Sequence, residues 1–201
     1  MIGMPFQRRN STALRGQRVY LREPQMGDFE VWARLREQSR AFLVPWEPSW
    51  NDYDLTKSGF RHRVKRAQDE MAEGTAYPFF IFRNNDRQLV GGITLANIRR
   101  GVAQNGMVGY WSGATYAGKG YMTEALSLVI SFAFEQLRLH RIEAACIPHN
   151  VRSVRLLEKA GFKREGLLRS YLKINGFWQD HLLFALLEGD IRMMNGKVER
   201  S

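Results

Sequence analysis

The chain contains the segment Tyr116-Ala117-Gly118-Lys119-Gly120-Tyr121-Met122-Thr123-Glu124-Ala125, in which two glycines separate a predicted strand from a predicted helix. Glycines let a chain turn tightly and let a ligand approach the backbone closely. The amides of such a loop and of the first helical turn point toward one place, in front of the positive end of the helix. The segment therefore predicts a cradle for phosphate groups, to which Lys119 and Thr123 can contribute donors. A glycine-rich turn without a ligand is the alternative interpretation.

The periodicity of apolar residues and the turn signals predict the elements around this loop. Strands are predicted at residues 18–22, 77–83, 89–98, 104–111 and 141–147, with two more inside 162–187 on either side of Asn175-Gly176. Helices are predicted at residues 28–40, 54–73, 122–137 and 150–160, and a stiff aromatic loop at residues 42–50. The order β-α-α-β-β-β-α-β-α-β-β predicts a mixed α/β sheet and not a uniform series of βαβ units.

The composition excludes several classes of protein. With 44% hydrophobic and 25% charged residues, the 201-residue chain is neither disordered nor collagen-like. It has no run of about 18 apolar residues and no apolar core of a secretory signal. A single cysteine, Cys146, and four scattered histidines give no disulfide and no ligand spacing for a metal. We expect one domain at residues 17–190, an N-terminal arm at 1–16 and a C-terminal tail at 191–201, in a reducing cytoplasm.

The charge of the chain is strongly positive. Thirty Lys and Arg residues against twenty Asp and Glu residues give a formal net charge of +10. Such an excess suggests a polyanionic partner, for example nucleic acid or a phosphate-rich ligand. A solvated, arginine-rich surface is an equally good interpretation, so charge alone names no function.

A second candidate site follows the strand predicted at 141–147. The segment Pro148-His149-Asn150-Val151-Arg152-Ser153 lies at the carboxyl end of that strand and at the start of a helix, where ligands gather in α/β sheets. Asn150 can cap this helix, or it can hydrogen-bond a ligand that contains amides. The sequence leaves both roles open.

Taken together, the two segments resemble those of the GNAT-superfamily N-acetyltransferases of the RimJ/RimL type. The acetyl-CoA loop of that superfamily, [RQ]-x-x-G-x-[GA], aligns with residues 117–122, although Ala117 and Met122 depart from it. Further matches are Gly109-Tyr110-Trp111, His140-Arg141-Ile142, Asn150 with Ser153, and the run from Leu156 to Phe162. Residues 42–48 and 171–181 resemble the RimJ branch in particular. The resemblance covers residues 15–187.

The resemblance implies a fold and a reaction. It implies a GNAT fold whose two central parallel strands, 107–111 and 141–147, splay apart. It also implies direct transfer of acetyl from acetyl-CoA to a primary amine in a ternary complex, with backbone groups near Val108 polarising the thioester carbonyl. The residues implied for coenzyme binding are Val108, Gly109, Tyr110, Trp111, Ala117, Gly118, Lys119, Gly120, Tyr121, Met122, Thr123, Asn150 and Ser153.

The acceptor amine must be neutral in order to attack. At pH 7, deprotonation requires about 1.4 kcal/mol for an α-amine and about 4.6 kcal/mol for a lysine, so an N-terminal acceptor needs only a weak base. Glu47 is the first candidate for the base because it lies in the aromatic loop; Asp180 and then His149 follow. Trp46, Glu47 and Asp180 are the expected acceptor-binding residues.

The leaving thiolate can be protonated by a nearby hydroxyl group. Many members of the superfamily carry a tyrosine seven residues after the asparagine, where this chain has Leu157. Ser153 and Tyr171 are the remaining candidates. A thiol with a pKa of about 8.5 is a tolerable leaving group, so a strong acid is not required.

The resemblance to the RimJ branch implies that the acceptor is the N-terminal alanine of a ribosomal protein. A small-amine acetyltransferase, acting on an aminoglycoside, a polyamine or an amino acid, is the second hypothesis. A ribosome-binding assembly factor that contacts ribosomal RNA on a GNAT fold is the third. A monomer or homodimer without membrane contact is expected in each case.

Overall fold

The computed structural model describes residues 13–194. Residues 1–12 of the predicted arm and 195–201 of the predicted tail lie outside the described residues, and the boundaries at 16 and 190 stay predictions. The strands are β1 Leu14–Arg15, β2 Val19–Arg22, β3 Tyr77–Arg83, β4 Leu89–Arg99, β5 Asn105–Ser112, β6 Arg141–Cys146, β7 Lys163–Ile174 and β8 Phe177–Leu187. The helices are α1 Phe29–Gln38, α2 Arg40–Leu43, α3 Lys57–Glu73, α4 Tyr121–Ser131, α5 Val151–Lys159 and α6 Glu188–Met194.

The strands form one mixed sheet in the order β1-β2-β3-β4-β5-β6-β8-β7. The pair β5–β6 is parallel and the other neighbours are antiparallel. Pairing of β5 with β6 stops after Met107 and Glu143, although both strands continue. The predicted mixed sheet and its splayed parallel strands are therefore confirmed, and the sheet has a gap at its centre.

Alternation along β3 explains why the sheet carries helices on both faces. Phe79 and Ile81 belong to the core cluster that includes α4 residues such as Ala125. Phe80 and Phe82 belong to a second cluster, with Trp32 of α1 and Phe60 and Val64 of α3. Since successive strand residues face opposite sides, one strand serves both cores. Burial of each of these large side chains stabilises the fold by about 1.5–3 kcal/mol.

The helix beginnings differ from the sequence predictions for identifiable reasons. The helix predicted from residue 54 begins at Lys57, because the Thr56 hydroxyl accepts a hydrogen bond from the Gly59 amide at 3.0 Å and caps it. It ends as predicted at Gly74, which has a φ of 69°. The Asp28 side chain does not cap α1; it binds Arg22 at 2.6 Å and 2.8 Å instead.

The predicted aromatic loop at residues 42–50 is partly helical. It contains the end of α2 and a 3₁₀ turn at Val44–Trp46. Pro45 lies at the start of that turn, where its fixed φ favours a helical conformation and its missing N–H is not needed. The turn places Trp46 and Glu47 beside the central gap of the sheet, where both line a cavity.

The helix predicted at residues 122–137 changes character part-way. It is α-helical to Ser131 and continues as a π turn at Phe132–Gln136. The wider turn accompanies three consecutive buried residues, Phe132, Ala133 and Phe134, which a regular α-helical stripe would not bury together. Within residues 13–194, no helix has the length and apolar character needed to cross a bilayer.

Candidate active site

The glycine loop leads into α4 as the sequence predicts. Gly118 and Gly120 have φ values of 76° and 82°, and Gly120 is the N-cap of α4 without any side chain capping the first turn. These positive φ values favour glycine because a Cβ would be strained there. The N–H groups of the first turn of α4 therefore point away from the helix N-terminus, and no side chain of the cap accepts their hydrogen bonds. This arrangement binds anions.

Arg18 braces this loop from the other side, a contact that the sequence reasoning missed. Its guanidinium donates to the Lys119 carbonyl at 2.8 Å and lies 4.6 Å from the centre of the Tyr121 ring. The neighbouring Arg83 guanidinium, followed by that of Arg18, lowers the pKa of the Tyr121 phenol. The loop is thus held in a positively charged setting.

A cavity of about 660 Å³ opens in front of the loop. We call it the loop cavity; it is bounded by the glycine loop, the ends of β5, the start of α5 and the turn at Val44–Trp46. The predicted coenzyme residues that line it are Tyr110, Trp111, Ala117, Gly118, Gly120, Met122, Thr123, Asn150 and Ser153. The structure brings these residues to one place, and what they bind there stays a prediction.

Four predicted coenzyme residues do not line the loop cavity. The Val108 side chain is buried in the core, and Gly109 is exposed with no atom near the position of a Cβ. The Lys119 residue is exposed on the loop, and the Tyr121 ring packs partly against the core. A role for these four residues would involve backbone groups or contacts at the edge of the cavity.

Three cations on α5 line the loop cavity and were missed by the sequence reasoning. They are Arg152, Arg155 and Lys159. Their spacing of three and four residues places them on one face of the helix. That pattern was present in the sequence and was the signal for a basic wall. Together with the α4 amides, this wall makes the cavity suited to a ligand with several phosphates.

Two hydroxyl groups meet at the inner end of the loop cavity. The Tyr110 and Ser153 oxygens lie 3.0 Å apart, and the Asn150 side-chain oxygen accepts a hydrogen bond from the Ser153 amide at 3.2 Å. Asn150 therefore caps α5, which was one of its two open roles. Burial raises the pKa of Tyr110, so its phenol stays protonated and can donate. Burial also raises the pKa of Cys146 to about 11, which leaves its thiol protonated and unreactive at neutral pH.

Glu47 is part of a tight charged cluster. Arg36 binds both of its carboxylate oxygens, at 2.8 Å and 2.6 Å, and the Trp50 indole donates to one of them at 2.9 Å. The Arg36 guanidinium lies 4.2 Å from the Trp50 ring centre and 4.9 Å from that of Trp111. The Arg36 Nε atom is buried and has no hydrogen-bond partner among residues 13–194. The carboxylate is thus fixed by a two-point ion pair held between two indoles.

A second cavity, of about 480 Å³, lies between α1, α3 and the sheet. We call it the α3 cavity. It shares Glu47 and Trp111 with the loop cavity, so the two cavities meet at these residues. Gly92 on β4 makes room for Trp111, because a Cβ there would lie only 2.4 Å from the indole nitrogen. Among the residues that the structure describes, these two cavities therefore adjoin each other beside the central gap of the sheet.

The remaining predicted residues lie at different distances from these cavities. Trp46 lines the loop cavity, and its ring centre is 5.3 Å from that of His149. Tyr171 packs against the buried His181, and the Asp180 carboxylate accepts a hydrogen bond from the Ser170 amide at 2.8 Å. Neither Tyr171 nor Asp180 lines either cavity, and their catalytic and acceptor-binding roles stay predictions.

Comparison with known proteins identifies the family. The model of the acetyltransferase (GNAT) domain matches residues 18–163. The chain belongs to the GNAT acetyltransferase family. It is accordingly an acetyl-CoA-dependent N-acetyltransferase, and the resemblance to the RimJ/RimL type is confirmed.

Three relatives show how far this similarity extends. The Bacillus subtilis protein named "Probable N-acetyltransferase YjcK" is 40% identical over 177 residues, which cover 88% of this chain and 98% of that protein. The Escherichia coli [ribosomal protein uS5]-alanine N-acetyltransferase is 35% identical over 165 residues, which cover 81% of this chain and 85% of that protein. The structure of Mycobacterium smegmatis RimJ in complex with CoA-disulfide is similar with a TM-score of 0.83 and 30% sequence identity. The match covers 93% of this chain and 94% of that one.

The loop cavity fits the substrate that this family uses. Acetyl-CoA carries a pyrophosphate and a further phosphate, and the cavity offers the uncapped start of α4 and the basic wall of α5. Among the residues that the structure describes, no group of three or more His, Cys, Asp or Glu side chains is arranged to hold a metal ion.

Proposed function

We propose that this protein acetylates the N-terminal alanine of a ribosomal protein, a reaction that would take place in the cytoplasm. The observation that carries the proposal is the meeting of two cavities at Glu47 and Trp111, one lined by a phosphate cradle and the other open to a second substrate. The acceptor is inferred from the relatives, because the Escherichia coli protein that is 35% identical is named for an alanine of ribosomal protein uS5.

In this proposal, acetyl-CoA occupies the loop cavity and the acceptor enters through the α3 cavity. The amine nitrogen forms a bond to the thioester carbonyl carbon, the carbon–sulfur bond breaks, and the amine loses a proton. Backbone groups of β5 beyond Met107 have no partner on β6, so they are available to pair with the pantetheine arm. Both substrates would meet where the cavities join.

Glu47 is proposed to receive the amine proton or to attract the ammonium group. It is the carboxylate at the junction of the cavities, and Arg36 already occupies both of its oxygens. A carboxylate is a weak base. A weak base is sufficient for an α-amine, whereas a lysine side chain would require about 3 kcal/mol more. A carboxylate at this junction therefore favours an N-terminal acceptor over a lysine acceptor.

Ser153 is proposed to donate a hydrogen bond to the departing thiolate. Its hydroxyl can accept from the protonated Tyr110 phenol and donate toward the loop cavity. A hydroxyl that accepts one hydrogen bond is a better donor for the next, since neighbouring bonds in a network polarise one another.

The test is the release of free thiol from acetyl-CoA against two panels of acceptors. One panel contains peptides that begin with Ala, Ser, Met or N-acetyl-Ala, and the other contains small amines. Turnover with Ala-peptides, absent with the acetylated control, is expected. Turnover with small amines alone would overturn the proposal. Binding of acetyl-CoA without turnover on either panel would favour the assembly-factor hypothesis, for which salt-dependent binding to ribosomal subunits is the next test.

The role of Glu47 is tested by the pH profile of the Glu47→Gln variant with an Ala-peptide. If Glu47 takes the proton, kcat/KM falls at all pH values below the amine pKa and recovers as the amine deprotonates by itself. If Glu47 only holds Arg36 in place, the pH profile keeps its shape and the fall is uniform.

A further inference from the structure

The charged side chains of the α3 cavity are unevenly paired. Arg36 binds Glu47, and Arg66 lies 3.6 Å from Glu70. One oxygen of Asp54 accepts a hydrogen bond from the Asn51 amide at 2.8 Å. Within residues 13–194, no carboxylate lies within 4.0 Å of the Arg63 guanidinium, although Arg63 lines the same cavity. Arg63 is therefore a cation of the wall without an ion-pair partner.

Arg63 is nevertheless held in a defined position. It lies on α3 with its guanidinium carbon 5.3 Å from the ring centre of Trp32, which is 2% exposed and anchored in the second core cluster. Surrounding protein lowers the pKa of Arg63, as do the nearby Arg36 and Arg66, whereas Asp54 and Glu47 partly offset this effect. The Arg63 residue itself remains exposed to solvent on the wall of the cavity. An accessible guanidinium that pairs with no carboxylate among the described residues is suited to bind an anionic ligand.

We infer that Arg63 binds a carboxylate of the acceptor, namely an Asp or Glu side chain in the residues that follow the N-terminal amine. This inference rests on the proposed function, because it assumes that a peptide N-terminus enters the α3 cavity. Arginine favours carboxylates because its planar fork can make two parallel hydrogen bonds to them.

The position of Arg63 defines which part of the acceptor it can meet. Glu47 and Trp111 line both cavities, so the reacting amine belongs at their side, whereas Arg63 lines the α3 cavity alone. The carboxylate must therefore lie beyond the amine along the acceptor. Arg36 and Arg66, which also line this wall, repel a further cation and so disfavour Lys or Arg at that place.

A carboxylate can also come from a small molecule. The α-carboxylate of a free amino acid or of a dipeptide presents the same chemistry to Arg63 as an acidic side chain does. Amidation of the C-terminus removes the α-carboxylate and leaves the carboxylate of an Asp or Glu side chain in place. The experiment therefore separates the two sources by amidation.

The experiment measures kcat/KM for C-terminally amidated peptides that begin with Ala and carry one Glu at position 2, 3, 4 or 5. Each peptide is paired with the same sequence containing Gln. For wild-type protein, at least one position is expected to favour Glu over Gln by about tenfold or more, as for a well-aligned charge-assisted contact. The gain is expected mainly in KM, because Arg63 lies away from the reacting atoms.

The variants are Arg63→Ala and Arg63→Glu, with Arg61→Ala as the matched control. Arg61 is an exposed arginine on the same helix that does not line the cavity. Arg63→Ala is expected to remove the preference for Glu, and Arg63→Glu to favour Lys at the same position. Arg61→Ala should keep the wild-type preference. Unchanged melting temperatures would show that the variants are folded.

Each outcome decides between the two proposals. Acetylation of all the Ala-peptides with no preference for Glu, or a preference that survives Arg63→Ala, overturns the inference and leaves the proposed function intact. If no peptide is acetylated, the proposed function fails. In that case an Arg63-dependent preference for free amino acids over their amides would assign the carboxylate to a small molecule, and its absence would overturn carboxylate recognition altogether.

Discussion

The two cavities that share Glu47 differ in how much of their shape comes from backbone and how much from side chains. The glycine-loop side of the loop cavity is shaped by backbone: two glycines with positive φ, the uncapped start of α4 and the part of β5 that does not pair with β6. The α3 cavity is shaped by side chains, above all the Arg36–Glu47 pair between Trp50 and Trp111. A backbone site tolerates many side-chain changes, and a side-chain site does not. In the proposed function, the loop cavity therefore holds acetyl-CoA, which the family shares, and the α3 cavity holds the acceptor.

The largest effect is expected from breaking the side-chain cluster. Arg36→Met removes the cation that pairs with Glu47, whose side chain is only 20% exposed, and leaves the carboxylate with the Trp50 indole N–H but without its ion pair. Loss of one member of a largely buried pair lowers the free energy of unfolding by about 3–5 kcal/mol. Urea unfolding monitored by tryptophan fluorescence measures the change.

The matched control for this cluster is Lys65→Met. Lys65 pairs with Asp69 on the surface of α3, where both side chains are more than half exposed, so a loss of less than about 1 kcal/mol is expected. If Arg36→Met also cost less than that, the α3 cavity would not depend on a rigid side-chain cluster. Adding Glu47→Leu to Arg36→Met should restore much of the stability, because the unpaired charge is removed.

The second effect concerns the backbone cradle. Gly118→Ala places a methyl group on the wall of the loop cavity and is expected to raise KM for acetyl-CoA roughly a hundredfold, or about 2.7 kcal/mol. Gly101→Ala is the control. Gly101 also has a positive φ, and neither glycine has an atom within 4 Å of an added Cβ. Both variants carry the same backbone strain of about 1–2 kcal/mol. Steady-state kinetics measure KM for acetyl-CoA in both variants. If Gly118→Ala and Gly101→Ala had the same KM, the glycine loop would not be a binding surface for acetyl-CoA.

The third effect concerns the pair of hydroxyl groups of Tyr110 and Ser153. Tyr110→Phe removes the hydroxyl group that pairs with Ser153 and is expected to lower kcat about tenfold with little change in KM for either substrate. Ser153→Ala should lower kcat at least as much, and the double variant should lose little more than Ser153→Ala alone.

Tyr77→Phe provides the control for the hydroxyl pair. The partly buried Tyr77 packs on Phe132 and lines neither cavity, so its kcat should equal that of the wild-type protein. Additive losses in the Tyr110 and Ser153 double variant would mean that the two hydroxyl groups act separately.

The smallest effect is expected from the brace behind the glycine loop. Arg18→Ala removes an exposed hydrogen bond to the Lys119 carbonyl, so KM for acetyl-CoA should rise only about two- to threefold. Arg15→Ala, which removes a neighbouring arginine that stacks on Tyr20, should leave KM unchanged. A tenfold rise for Arg18→Ala would mean that a side chain, and not the backbone alone, shapes the cradle.

The sequence predicts the two cavities unequally, and their construction explains why. The glycine loop is a local signal, since Gly118, Gly120 and the start of α4 are contiguous in the chain. Arg36, Glu47 and Trp111 come together only through tertiary packing, and no local pattern links them. Glu47 was selected for its place in an aromatic loop, but its ion pair with Arg36 was not foreseen.

Two local patterns have a meaning that differs from the prediction or adds to it. The sequence predicts Pro45 in a loop, whereas a proline at the first positions of a helical turn stabilises that turn. The spacing of Arg152, Arg155 and Lys159 was a helical stripe that could have predicted the basic wall of the loop cavity. The seven predicted strands and the hairpin at Asn175-Gly176 agree with the structure, because alternation and turn residues act over short distances; the short strand Leu14–Arg15 was not predicted.

The gap between β5 and β6 links ligand occupancy to the stability of the whole sheet. The parallel pairing of β5 with β6 ends at Met107, so beyond this residue the facing backbone groups of the two strands are not paired with each other, although they lie in the middle of the sheet. A ligand that binds the folded chain and not the unfolded chain raises the unfolding free energy by about 2.7 kcal/mol at one hundred times its dissociation constant. For a chain of this size that is a rise in melting temperature of roughly 5–10 °C. The protein would therefore resist unfolding and proteolysis in proportion to the supply of acetyl-CoA, so that its lifetime would follow the metabolic state of the cell.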